Sequence, residues 1–225
     1  MKNALPLLLT SLFLSGCAST SLASPTNFKS CRDDKPRLEA RSKELSEIVK
    51  ADQDDREDFF EKPQEEMQEI LKRDEQRRRR VGEIFGEGCF SRAEDFAAAA
   101  LVYQHGDVPE HFLQAFMWAK RAVELGDDSQ KRLMALAIDR YLVNIGHKEL
   151  FGSQASKPDM NPNTCWCLEQ VEKSFPDRRR SEIAGKSLKE AFDWLDDLNK
   201  GMNCPKAECS KELKASPRGT VPGFW

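Results

Sequence analysis

SRAEDFAAAALVYQHGDVPEHFLQAFMWAKRAVELGDD, residues 91–128, holds two helices and the turn between them. Ser91-Arg92-Ala93-Glu94 has the form of a capping box, with Ser91 as N-cap and Glu94 reaching back. The helix it opens carries Phe96, four alanines at 97–100 and Tyr103, and closes near Gly106. Asp107-Val108-Pro109-Glu110 starts the next helix, about 112–125, which Gly126 stops. Asp127 or Asp128 caps a third, running to Ile145 and ending at Gly146. Small residues on the packing faces permit close helix contact, and a large aromatic such as Trp118 fills the remaining gap. The pattern predicts helical hairpins.

Outward from this stretch the helical signal continues. Leu38, Leu45, Ile48, Val49, Phe59 and Phe60 follow helical spacing over 36–60; Pro63 interrupts, and a second helix of about 65–85 ends at Gly86 and Gly88. Downstream, 154–163 reads as a loop, and Leu188, Ala191, Phe192, Leu195 and Leu198 predict a helix over 187–198. Residues 216–225, with two Pro and two Gly, read as a loosely packed tail. Residues 98–128 resemble a tetratricopeptide-type unit of the Sel-one-like variety, but only one such unit is legible, so a long solenoid does not follow. The expected fold is all-α: antiparallel helical hairpins, tetratricopeptide-like in part, with a disulfide-stapled C-terminal region. Composition agrees, since Ala, Leu, Glu, Lys and Arg dominate and only two Tyr occur among 225 residues.

The start of the chain addresses location. Met1-Lys2-Asn3 is a short positive start, and the apolar run 4–13 is too short for a bilayer, which needs ~20 residues. Leu14-Ser15-Gly16-Cys17 then matches a bacterial lipoprotein signal. That resemblance implies cleavage before Cys17, diacylation of its sulfur and acylation of the new N-terminus. At about 0.8 kcal/mol per buried methylene, two or three chains anchor a protein firmly. Ala18 follows, not the Asp that retains lipoproteins at the inner membrane, so the expected location is the outer membrane, facing the periplasm. The expected organisation is a signal peptide at 1–16, lipidated Cys17 with a flexible tether to 34, a helical domain at 35–209 and a tail at 210–225.

Six cysteines remain after Cys17: Cys31, Cys89, Cys165, Cys167, Cys204 and Cys209. An even number in an exported protein predicts three disulfides. Cys165 and Cys167 flank one residue and should reach different partners, including Cys204 or Cys209. A zinc site built from those four is the alternative, but a one-residue gap suits a chelate poorly, so no metal and no cofactor is expected.

With 35 Lys and Arg against 38 Asp and Glu, the net charge is −3, which argues against a nucleic-acid partner. Charges do, however, interrupt the apolar stripes. Leu45, Ile48, Asp52, Arg56 and Phe59 share one stripe; Met67, Leu71, Asp74, Arg78, Val81 and Phe85 share another; Asp139-Arg140 sits late in the helix that ends at Gly146. Such residues brace helices by charge-assisted bonds, line a polar pocket, or face water. The rest of the run 77–80 reads as a solvated, salt-paired face, with Arg78 the exception.

Asp52-Gln53-Asp54-Asp55-Arg56, Asp74-Glu75-Gln76-Arg77-Arg78, Gln104-His105-Gly106 and Asp139-Arg140-Tyr141-Leu142, the last leading through Gly146 to Phe151-Gly152-Ser153-Gln154, fall in a fixed order. On these motifs residues 45–199 resemble a large family of uncharacterised bacterial proteins, a domain of unknown function. Its pattern has Thr where Ser153 stands, Gln at the place of Glu149, and one residue fewer in the first element. The resemblance implies a helical domain with a shared Asp, Arg, Gln and His cluster, and no reaction.

The candidate ligand or partner residues are Asp52, Arg56, Asp74, Arg78, Gln104, His105, Asp139, Arg140 and Gln154. None is assigned a catalytic role, since no nucleophile motif, metal triad or Gly-rich phosphate loop accompanies them. The reading leans away from an enzyme and toward a binding module at the envelope, with a protein or peptide partner. An enzyme or small-anion binder using the cluster, and a purely structural lipoprotein, are the alternatives.

Overall fold

A computed structural model describes residues 30–225 except 32, 160, 162, 220, 222 and 224. The signal peptide, Cys17 and most of the tether therefore lie outside the described residues. Seven helices form among those described: α1 (Lys35–Arg56), α2 (Gln64–Gly86), α3 (Ala93–Gln104), α4 (Pro109–Glu124), α5 (Lys131–Asn144), α6 (Asp177–Ala184) and α7 (Leu188–Leu198). A two-residue antiparallel pair, β1 (Ala155–Ser156) and β2 (Cys167–Leu168), is the one sheet among them. None of these helices is long and apolar enough to cross a membrane.

Helices α3, α4 and α5 stack in sequence, and α1 and α2 pack on α3. Small residues allow this: Ala99, Ala100, Ala115, Ala119, Ala122 and Ala135 are fully or almost fully buried. Trp118 fills the space they leave, 4.6 Å from the ring of Tyr103 and 5.3 Å from Phe85. Edge-to-face contacts of this kind add about 0.5–1.5 kcal/mol beyond burial. Gly146 ends α5 with a positive φ of 81°, which lets His147 N donate back to Leu142 O at 2.8 Å.

The opening of α3 differs from the expected capping box by one residue. Asp95, not Glu94, reaches back, accepting from the backbone N–H groups of Ser91 and Arg92 at 3.0 Å each. Asp95 is buried and also takes the Ser42 hydroxyl at 2.5 Å, so the cap doubles as a tie to α1. Glu94 is exposed, and burial decided between two adjacent acids.

The cysteines form three disulfides, Cys31–Cys89, Cys165–Cys204 and Cys167–Cys209, so the neighbours of Trp166 do reach different partners. Two of these staple a small C-terminal module in which α7 packs on β2 over Leu168, Val171, Ala191 and Leu195. Helix α6 has no counterpart in the sequence reading. Its one buried side chain is Arg180, whose Nε donates to Leu150 O and whose Nη2 donates to Glu172 O, both at 2.7 Å. The final residues also depart from a loose tail: Val221 joins the main core, and the Trp225 ring lies 5.9 Å from Phe175.

Candidate functional site

Asp52, Asp55 and Arg56 stand near the C-terminal end of α1, where α2 crosses it. Arg56 is 3.3 Å from Asp52 on its own helix and 2.6 Å from Asp74 on α2, so the two stripes meet through one guanidinium. Asp74 pairs with Arg77 at 3.0 Å rather than with Arg78. Arg77 also bonds Asp55 and donates to Ala51 O at 3.1 Å, while Arg73 clamps Asp55 with two bonds of 2.7 and 2.9 Å. The solvated-face reading is thus corrected for Arg77, which is only 11% exposed and braces the crossing. The Arg73 hydrogen bond above all, joined by Arg77, holds the Asp55 carboxyl down at about 2, against a smaller opposing effect of burial.

Arg78 and Arg140 meet at the other end of the cluster, the C-terminus of α3. Arg78 Nη1 donates to His105 O at 2.9 Å and its Nη2 lies 3.4 Å from Asp107. Arg140 Nη1 donates to Gln104 O at 2.7 Å and Nε to Gln154 Oε1 at 3.2 Å. The last carbonyls of a helix lack intrahelical partners and sit at its negative end, so two guanidiniums there act as caps. Burial alone pushes the Arg140 pKa down. Gln104 contributes its backbone oxygen, and its side chain is buried.

Between these groups His105 Nδ1 lies 2.9 Å from Asp52. Burial raises the Asp52 pKa, but His105, Gln53 and Arg56 together outweigh it and hold it below the usual range. Gly106 follows because a Cβ there would lie 2.3 Å from that of His111. This close approach gives the Gln-His-Gly turn its glycine.

Asp139 and Arg140 are not a pair. Asp139 is fully buried and accepts from Leu150 N at 2.8 Å, Phe151 N at 3.1 Å, and Ser153 N and Oγ at 3.2 and 2.8 Å. It latches the loop after α5 onto the helix. Glu149, equally buried, bonds Asp139 and accepts from Ser153 N and Gln154 N at 2.9 Å each. Burial first, then the Asp139 charge, pushes the Glu149 pKa well up, which favours the protonated acid with its O–H directed to Asp139. A protonated Glu presents a donor group and an acceptor group, as a Gln does.

The predicted residues therefore gather into a continuous frame with two ends, Asp52, Arg56, Asp74, Arg78 and His105 toward α1 and α2, and Arg140, Gln154 and Asp139 toward the loop after α5. The sequence reading missed Asp55, Arg73 and Arg77, although Asp55 stands three after Asp52, and Arg77 three after Asp74 and four after Arg73, which was a usable signal. Chemically, Asp52–His105 is the one acid–imidazole pair in the predicted set, and among the described residues no Ser, Thr or Cys side chain bonds His105. Cys31, Glu87 and Cys89 also come together, but the two sulfurs are bonded to each other and offer no thiolate.

Comparison with protein-family models, with curated proteins and with solved structures found no match to the chain.

Proposed function

We propose that this protein is a lipid-anchored binding module of the bacterial outer membrane, facing the periplasm, with a protein or peptide partner. The observation that carries the reading is the inward engagement of the polar cluster. Asp52, Asp55 and Asp139 each accept from several donors, Asp74 sits between Arg56 and Arg77, and the guanidiniums of Arg56, Arg77, Arg78 and Arg140 face those acids or backbone carbonyls. A general base or nucleophile needs a free lone pair facing substrate, and the acceptors this frame leaves without a hydrogen bond, Asp74 Oδ2, Gln104 Oε1 and Glu149 Oε1, are buried. Three disulfides support an oxidising compartment, in line with the lipoprotein signal ending at Cys17. The same reading keeps the chain beside the uncharacterised family whose motifs it carries.

The surface best suited to a partner is the outer face of α4, where Leu113 and Met117, one turn apart, are 36% and 52% exposed. Photo-crosslinking residues placed at 113 and 117 in the full-length lipoprotein should give discrete adducts in intact envelopes, and one placed at 43 should not. Labelled palmitate should enter wild type and not Cys17→Ser. No adduct at either α4 position, together with a His105→Gln variant of normal stability that abolishes the protein's cellular role, would favour the enzyme reading instead.

A further inference from the structure

Arg132 near the start of α5 and Lys186 in the α6–α7 junction line the same groove, about 430 Å³ in volume, and a recess of about 50 Å³ opens beside it. Among the described residues neither cation forms an ion pair with a carboxylate. The acids at the rim are already engaged: Asp128 by Lys131 at 2.9 Å, and Glu182 by Arg178 and Arg179 at 3.4 and 3.6 Å. Glu190 is occupied in the cap of α7, accepting from Ser187 N at 2.7 Å. Lys186 Nζ lies 5.1 Å from the centre of the Trp194 ring, and its pKa is lowered by burial and then by the Arg132 charge, which together outweigh the opposing charges of Asp197 and Glu190. Two like charges thus share a groove and raise each other's energy, which an anion between them reverses.

The recess supplies the other half of a ligand's chemistry. Ala135, Leu136, Phe151 and Trp194 make its walls largely apolar. Its volume holds roughly three or four water-sized groups, which matches a short branched aliphatic chain. We infer that this groove and recess form a binding site for an aliphatic carboxylate, with the anionic head between Arg132 and Lys186 and the short apolar group in the recess. Two sources share that chemistry, a free short-chain acid and the C-terminal residue of a polypeptide with an apolar side chain. The recess borders the frame only through Phe151 and Ser153, which Asp139 holds, and lies apart from Asp52, Arg56 and Asp74 and from the α4 face, so its failure leaves the interaction reading standing.

The test is calorimetric titration of the detergent-solubilised full-length protein with isovalerate, with the peptide Gly-Gly-Leu and with its C-terminal amide. Saturable binding of isovalerate or of the free-acid peptide supports the site, and which of the two binds tighter identifies the source. Lys186→Gln and Arg132→Gln should each weaken binding at least ~10-fold; Lys186→Arg should restore most of it, and Lys189→Gln should leave it unchanged. Circular dichroism of each variant separates lost binding from lost fold. Failure of both acids to bind, or an amide that binds as tightly as the acid, overturns the proposal.

Discussion

The Arg56 guanidinium lies 2.6 Å from the Asp74 carboxylate across the α1–α2 crossing and 3.3 Å from Asp52 on its own helix. Both carboxylates are almost fully buried, so Arg56, together with Arg77 on Asp74 and His105 on Asp52, compensates acids that water cannot reach. Arg56→Met should cost about 3–5 kcal/mol, because it strands charge rather than removing a contact. Arg56→Met with Asp74→Leu should cost clearly less than the sum of the two single changes. Urea denaturation of the four proteins measures the difference, and simple additivity would rule out the brace.

The proton on Glu149 makes a second prediction, with a definite sign. Its folded pKa stands well above the ordinary 4.5, so the native state binds more protons than the unfolded chain as pH rises past that value. The stability it contributes is whole below the unfolded pKa and is lost as pH climbs through the folded one. Glu149→Gln keeps a donor for Asp139 and cannot ionise. Thermal unfolding from acid to mildly alkaline pH should show the variant above wild type at pH 8 and the two converging toward pH 4. Parallel curves would mean that Glu149 is ionised in the folded protein.

Arg140→Ala removes the donors to Gln104 O and Gln154 Oε1. Hydrogen bonds from a charged group contribute about 1.5–3 kcal/mol each, so a loss of about 3–6 kcal/mol is expected in calorimetry. An unchanged midpoint would free Arg140 from its capping role and return it to the candidates for ligand binding.

The disulfides of the C-terminal module close sequence separations of 39 and 42 residues. Loop-closure entropy assigns each about 4 kcal/mol, a large share for a core of four fully buried apolar side chains. Mild reduction should therefore release amide protection over 155–209 first, while α3, α4 and α5 stay protected. Hydrogen exchange with and without reductant reads this directly, and simultaneous loss in both regions would mean a single cooperative unit.

The helices that pack by period and small residues, α3, α4 and α5, were legible because alanines, glycine stops and one Trp leave few alternatives. Helix α6 was not, because its buried side chain is an arginine and it has no apolar stripe to find. Four arginines at 77–80 carry the same composition signal, and only the angle at which α2 crosses α1 turns Arg77 inward while Arg79 stays exposed. Asp139 and Arg140 are adjacent in sequence, yet they point about 100° apart around the helix, one onto the loop at 149–153 and the other onto the end of α3 and Gln154. The contact of Asp139 with Glu149 was out of reach for a different reason: two acids attract only after burial has put a proton on one of them.

The Cys31–Cys89 bond spans a sequence separation of 58 that contains all of α1 and α2. Tension applied to the chain ahead of Cys31, as from the lipid anchor proposed at Cys17, would cross through the sulfurs to residue 89 and pass on toward α3. The two helices that carry the Asp52, Arg56 and Asp74 frame are left out of the line of force. Under the proposed anchor, a covalent shunt of this kind would let the domain be tugged by its membrane without the pull peeling apart the helix pair on which its polar frame depends.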